Sequence, residues 1–378
     1  MAAARTALGQ AAPNGSREQN ARMPTLRIVQ WSTGYVGKLA TRAISHRPDL
    51  ELAGVWVHNP AKVGRDAGEL AGGDPVGVRA TDDADALLAL EPDCVCYTAS
   101  GESRPAEAVD DFCRMLEAGI NVVTTSVPGL LYPPGYDPAA VARIEDACRR
   151  GGASLYASGI EPGFSGDHLV LLLSTLTRRI DSVRTQEIFT YADYPVPFTI
   201  YEVFGFGKPA DHTCIMEMPG VQRSAWGPPV QMVANGLGVE LDQIRETYDK
   251  RVTERTLQTA AGPIEAGTVG AVRFETIGVV DGRDAIVIEH VNRMATDLAP
   301  EWPTADRDGT YRIVFSGDPG LSCELQLGTD GRDFSDAGML ATTMRVVNAI
   351  PAVCAAAPGI VTATDLPLTL PVDALGHD

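Results

Sequence analysis

The chain is expected to be an α/β protein: a doubly wound parallel sheet followed by a second α+β domain with a large, mostly antiparallel sheet. Three observations predict this. Short apolar strands alternate with amphipathic helical segments from Leu26 to about Ala157. A small-residue turn directly follows the first strand. After Ser158–Asp167 the strands change to alternating polarity, the signature of a sheet with one covered face.

The predicted strands of the first half are Leu26–Trp31, Leu52–His58, Cys94–Ala99, Asn121–Thr125 and Ser154–Ala157. They are apolar throughout, as strands covered on both faces must be. Lys38–His46, Pro105–Ala118 and Pro138–Arg150 carry helical periodicity between them. In the second half a helix at His168–Thr177 leads into "SVRTQEIFTY", "AVRFETIGVV", "DAIVIEHVNRM" and "TYRIVFSG", and Asp281-Gly282 is a strong hairpin turn between two of these strands. The segment "DAGMLATTMRVVNAIPAVCAAAPGIV" is apolar enough to be buried and is expected to pack back on the first half. The expected division is a disordered extension at 1–24, a dinucleotide-binding domain at 25–160, a substrate and dimerisation domain at 161–334 and a returning helical segment at 335–378.

Composition narrows the function classes. Of 378 residues, 44% are hydrophobic and 21% charged, the values of an ordinary globular chain long enough for two domains. The formal net charge of −18 argues against nucleic acid or an anionic membrane as partner. Seven scattered cysteines, among them the strand pair Cys94 and Cys96, do not have zinc-ligand spacing and fit reduced thiols in the cytoplasm. No metal site is expected.

The stretch "LRIVQWSTGYVGKLATRAI" carries most of the chemistry. Gly34 and Gly37 hold the second and third glycine positions of a G-x-G-x-x-G dinucleotide fingerprint, and Ser32 stands at the first. The second glycine lets backbone approach a pyrophosphate, and the third lets helix and strand pack closely. The turn residues Ser32, Thr33, Gly34, Tyr35, Val36 and Gly37 are therefore cofactor-binding candidates, with a helix N-terminus behind them to attract phosphate. The competing reading is an ordinary β–α turn. The second strand runs into His58-Asn59-Pro60-Ala61-Lys62, with Arg65 beyond and no carboxylate at its tip. Such a tip suits a 2′-phosphate, so NADP is expected over NAD, with His58, Asn59 and Lys62 at the ribose end.

With these residues in view the chain resembles the dihydrodipicolinate reductase-like superfamily, most of all the 2,4-diaminopentanoate dehydrogenases and native amine dehydrogenases. The resemblance rests on "WSTGYVGK", "YTAS", "GINVVTT", "GIEPGF" and "NAIPAVCAAAPGIVT". It implies a Rossmann domain, a substrate domain closing over the nicotinamide, and a homodimer. It also implies reversible oxidative deamination of an amine or reductive amination of a ketone or aldehyde with ammonia. One departure stands out: where the family resembles G-x-N-P-G-F, this chain has Glu161 before Pro162-Gly163-Phe164. That leaves the substrate open and places an extra carboxylate near the site.

Ligands of such sheets bind beyond the carboxyl ends of the strands. Thr98, Ala99 and Ser100 are expected at the nicotinamide ribose, and Thr124, Thr125 and Ser126 beside the ring. A desolvated carboxylate can stabilise an iminium and handle ammonia's protons. The family uses a glutamate in this region, and Glu102 is the candidate for that role. Glu102 could equally complement the dipole of the helix that Pro105 opens. Glu161, Phe164 and His168 are further substrate-side candidates. The aromatic run Phe189–Pro209 could line a pocket, form a lid or make a dimer contact. Two other functions remain open: a ketone or cyclic-imine reductase that does not use ammonia, and a cofactor-binding protein without catalysis.

Overall fold

The structure, a computed structural model, describes residues 25–101, 104–329, 331 and 333–375. Its first half follows the predicted alternation: β1 (Leu26–Trp31), α1 (Tyr35–His46), β2 (Leu50–Trp56), the short α2 (Ala67–Leu70), β3 (Ala80–Thr81), α3 (Ala84–Leu88), β4 (Cys94–Tyr97), α4 (Pro105–Glu117), β5 (Asn121–Thr124), α5 (Pro138–Gly151) and β6 (Ser154–Ala157). The strands pair in parallel. Their period-two side chains feed two separate cores. Val29, Val95, Tyr97, Val122 and Leu155 face Phe112, Leu116 and Ile144 of α4 and α5. Ile28, Cys94, Cys96, Val123 and Tyr156 face Ala40 and Ile44 of α1. This two-sided covering is why the strands read as unbroken apolar runs.

Local chemistry sets the helix ends. The Asp137 carboxylate accepts from the N–H of Ala139, Pro138 occupies the first turn of α5, and Gly152 ends it at φ 71°. Pro105 opens α4 in the same way. The second strand ends at Trp56 rather than at His58. Its indole stacks on Trp31 with centroids 4.8 Å apart, and Asn59 then caps a short turn over Pro60–Lys62.

The second half begins with α6 (His168–Ser174). It continues through β7 (Arg179–Thr190), α7 (Val221–Gly236), β8 (Gln243–Val252), the small hairpin β9 (Leu257–Thr259) and β10 (Gly262–Ile264), β11 (Val269–Val280), β12 (Arg283–Arg293), β13 (Thr310–Asp318) and β14 (Leu321–Gln326). The large sheet has the order β14-β13-β7-β12-β11-β8 and is antiparallel except for the β7–β12 pair. Asp281 and Gly282 both take positive φ, 50° and 71°, as a tight β11–β12 hairpin requires. α7 lies on this sheet with Val230 against Gly278, where a Cβ would meet Val230 Cγ1 at 2.6 Å.

The chain then returns to the first sheet through α8 (Phe334–Val347), α9 (Ile350–Cys354) and β15 (Gly359–Val361), which pairs in parallel with β6. Phe334–Cys354 has the length and mean hydropathy, 1.3, of a membrane span. Its residues Val346, Val347, Ile350 and Val353 are seated in the core beneath the parallel sheet, so it serves here as a core element. The fold is a Rossmann doubly wound parallel sheet joined to a mostly antiparallel α+β layer.

Candidate functional site

The β1–α1 turn is set by Ser32, Gly34 and Gly37. Ser32 takes φ 84°, the left-handed conformation that glycine usually supplies at this point. Its N–H donates to Trp56 O, tying the turn to the second strand. Gly37 is obligatory: a Cβ there would lie 2.3 Å from Ser32 O and 2.9 Å from Thr98 Oγ1. At Gly34 a Cβ would meet nothing closer than Ser32 Oγ at 4.0 Å, so the backbone is open for a ligand to approach. Gly34 caps α1 without a side-chain hydrogen bond, and the first turn holds no acidic residue. The N–H groups at this helix start thus have no side-chain cap, and no acidic residue offsets the positive end of the helix dipole.

The tip of β2 adds cations to this turn. Lys62 Nζ donates to Thr33 O at 3.1 Å and to Thr33 Oγ1 at 2.9 Å. Partial burial and then the nearby Lys38 and Arg65 hold its ammonium below the usual lysine pKa. Lys38 and Arg65 thus lie within electrostatic reach of the ammonium that sits on Thr33. His58 and Asn59 are exposed at the same tip, where Asn59 Oδ1 accepts from the N–H of Ala61. Tyr35 at the start of α1 hydrogen-bonds Asp336 of α8.

Thr98 sits directly beside the fingerprint. Its hydroxyl donates to Trp31 O at 3.2 Å and accepts from Gln30 Nε2 at 2.7 Å. The hydroxyl of Ser126 donates to Ala99 O, and Thr124 Oγ1 accepts from the Ser126 N–H at 3.0 Å, which fastens the β4 and β5 rims together. Thr125 N–H reaches Tyr97 O at 3.4 Å, and Ser100 is exposed at the rim. Glu102, the sequence-derived catalytic candidate, lies outside the described residues.

A second polar group gathers where the junction loop meets the large sheet. The Glu161 carboxyl takes the Ser165 hydroxyl on Oε2, while its enclosed Oε1 has no partner. Burial, reinforced by Asp167 and Glu187, pushes its pKa well above the usual carboxylate range. Gly166 makes room for it, since a Cβ there would come within 2.8 Å of both carboxyl oxygens. Asp167 accepts from the N–H of Gly163 and caps α6 through the N–H of His168; burial pushes its pKa up to about 6. His168 is held below its ordinary pKa by burial and by Arg345, whose guanidinium reaches its Nδ1 at 3.3 Å. The same Arg345 donates to the Tyr156 hydroxyl at 3.0 Å and lies 4.9 Å over the Phe164 ring, in a hollow of about 250 Å³.

Tyr311, Glu187 and His290 form one row of sheet residues in register, and Glu187 and Tyr311 lie within electrostatic reach of Glu161. Glu187 Oε1 accepts from the Tyr191 hydroxyl at 2.8 Å and Asn292 Nδ2 at 3.1 Å, with His290 Nδ1 3.3 Å away. Burial would raise the Glu187 pKa, but His290 and these donors outweigh it and hold the carboxyl below the usual range. The His290 ring stacks on Phe274 at 4.5 Å and meets the edge of Trp226 at 4.8 Å.

Sequence reasoning brought the turn, the β2 tip and the β4–β5 rim to one edge, and the structure gathers those residues there. It gave Glu187, His290, Asn292 and Arg345 no role, and touched Tyr191 only as part of the aromatic run. A signal was available: Glu187 shares the strand face of Thr185 and Phe189, and all three are buried. A carboxylate in register with core residues calls for partners. Of the aromatic run, Ile200, Phe204 and Phe206 are buried core residues, while Phe198 is exposed.

Comparison with known proteins places the chain in a family. The family profile for the 2,4-diaminopentanoate dehydrogenase C-terminal domain matches residues 164–375. An amine dehydrogenase of Streptomyces virginiae is 43% identical over 93% of this chain and 99% of its own length. The 2,4-diaminopentanoate dehydrogenase of Acetoanaerobium sticklandii is 23% identical over 92% of this chain and 94% of its own. The structure of an amine dehydrogenase from Mycobacterium smegmatis superimposes with a TM-score of 0.74 at 22% identity, over 92% of this chain and 97% of that one. The chain thus belongs to the 2,4-diaminopentanoate dehydrogenase and amine dehydrogenase family of NAD(P)-dependent oxidoreductases.

Proposed function

We propose that this protein is an NADP-dependent amine dehydrogenase that interconverts an amine with a ketone or aldehyde and ammonia. The observation that carries the cofactor assignment is the cationic shelf at Thr33. There Lys62, with Lys38 and Arg65 in electrostatic reach, sits on Thr33 beside a helix N-terminus that has no side-chain cap, with no carboxylate at the β2 tip to repel a 2′-phosphate. The amine assignment is supported by the similarity to the Streptomyces virginiae enzyme over nearly the whole chain.

In this reading Ser32, Thr33, Gly34, Tyr35, Val36 and Gly37 hold the pyrophosphate, and His58, Asn59 and Lys62 the adenosine ribose and its phosphate. Thr98, Ala99, Ser100, Thr124 and Thr125 line the nicotinamide end. The bound cofactor supplies or accepts the hydride. Glu102 takes up the proton that the substrate nitrogen releases and returns it in the reverse direction. Glu161, Phe164 and His168 face the substrate from the junction. The protein acts as a homodimer, to which the outer face of the large sheet is suited. There Arg184, Arg273 and Arg312 are balanced by Glu275, Glu289 and Glu324, on a molecule otherwise strongly acidic. Seven free thiols fit a reducing, cytoplasmic setting.

The test is NADPH oxidation with a panel of aldehydes and ketones, each with and without ammonium, for wild type and Glu102→Ala. Ammonium-dependent turnover that falls by about 10²–10⁴ in the variant supports the reading. Turnover that ignores ammonium and survives the substitution would replace it with a carbonyl or imine reductase.

A further inference from the structure

The hollow of about 250 Å³ at Arg345 is lined by two chemistries. Ile160 and Phe164 of the junction loop, Leu325 and Leu327 at the end of β14, and Ala341 and Met344 of α8 supply an apolar wall. Arg345, Asn348 and Thr369 supply the polar part. Ala341, Met344, Arg345 and Asn348 are spaced i, i+3, i+4 and i+7, so one face of α8 and its C-cap builds this side, while Val346 and Val347 go to the core. The polar groups offer donors. The Asn348 oxygen already accepts from Arg47 Nη1 at 3.0 Å, which leaves its NH₂ to donate. Arg345 gives Nη2 to the Tyr156 hydroxyl and to His168 Nδ1, and its enclosed Nε has no partner. Its neighbours are uncharged: a phenol, an imidazole held below its ordinary pKa, and the Phe164 ring. Among the described residues no carboxylate forms an ion pair with Arg345. Asp167 acts on it only through space, since its two oxygens accept from the N–H groups of His168 and Gly163. A guanidinium keeps its charge at any physiological pH, and a half-buried one without a counter-charge calls for an anion.

We propose that this hollow binds a small organic carboxylate, with its head group on Arg345 and Asn348 and its apolar chain along Leu325, Leu327 and Met344. The paired oxygens of a carboxylate match the planar guanidinium and take the amide N–H as well. A bare inorganic anion would leave the apolar wall against water, and a neutral apolar molecule would leave the guanidinium without its counter-charge. The chain carries a net charge of −18, so it repels free anions in general and only local donors can hold one. The volume lies below the roughly 300–1,000 Å³ of drug-sized ligand sites, which keeps the ligand small. The site stands apart from the amine dehydrogenase reading, because binding is measured without turnover.

The full-length protein is titrated by isothermal calorimetry with sodium acetate, butyrate and hexanoate at matched ionic strength, and with 1-hexanol, which has the chain without the charge. Hexanoate is expected to saturate one site and to bind tighter than the shorter acids by about fourfold per methylene. It should also bind about tenfold or more tighter than hexanol. Arg345→Met keeps the stem and removes the charge, and Ala341→Phe keeps the charge and fills the hollow. Each should weaken hexanoate about tenfold or more. No saturable hexanoate binding, or binding unchanged in both variants, overturns the site. Hexanoate that binds no tighter than acetate, or no tighter than hexanol, overturns it too, since head and chain must act together. Should Arg345→Met fail to fold by thermal melting, Arg345→Lys, which loses the planar fork, takes its place beside Ala341→Phe. The source of the ligand is then read from NADPH oxidation. Hexanoate that competes with the carbonyl compound marks the hollow as the place of an acid group on the substrate, and hexanoate that does not compete marks a separate ligand; either result keeps the site.

Discussion

Ser32 holds a left-handed backbone that costs an L-residue about 1–2 kcal/mol, and its carbonyl stands 2.3 Å from where a Gly37 side chain would begin. Ser32→Gly should therefore keep the turn and leave the melting temperature unchanged or raised by a few degrees, since the relieved strain outweighs the added chain entropy. Gly37→Ala should force the turn away from Thr98 and weaken cofactor binding about tenfold or more, measured by fluorescence titration with NADPH. Lys62→Ala should raise the KM for NADPH by about 10–100-fold while changing that for NADH little, as expected for one lost charge-assisted phosphate contact. Equal losses for both cofactors would move Lys62 from phosphate recognition to support of Thr33. The glycine pattern and the missing carboxylate were legible as letters in the chain. The Lys62–Thr33 bridge was not, because it joins residues 29 positions apart.

Elements with regular periodicity were readable and those built against propensity were not. The Asp281-Gly282 turn stands where its dipeptide predicts, and Gly282→Ala should cost about 1–2 kcal/mol in urea unfolding because φ is 71° there. The helix Val221–Gly236 contains Pro228 and Pro229 and has no clean polar face, so local rules argue against it. It forms because Val230, Val233 and Ala234 bury against the large sheet and outweigh the lost backbone bonds. The strand expected at Leu52–His58 ends two residues early, where Trp56 locks onto Trp31 and Asn59 starts a turn. Stacking across strands has no signature within either strand.

For the whole molecule the buried carboxyls set opposing pH dependences. Asp167, raised from 3.8 to about 6, and Glu161, also raised, favour folding in their protonated form, so that stability is lost as pH rises through about 6. Glu187 and Glu289 are held below 4.5, so the stability they add is present above that value and lost as pH falls. The melting temperature should therefore be highest near pH 4.5 and decline as the pH rises through about 6, a decline that Glu161→Gln makes shallower. A profile flat from pH 5 to 8 in both proteins would show that these groups ionise freely. The sequence alone determined the parallel sheet, the cofactor turn and the hairpin, because each depends on residues within a few positions of one another. Only the tertiary structure decided that Glu187, His290 and Asn292 meet, since the register of β7 against β12 brings them together. Such pairings are settled by what the large sheet must bury, and no local pattern records them.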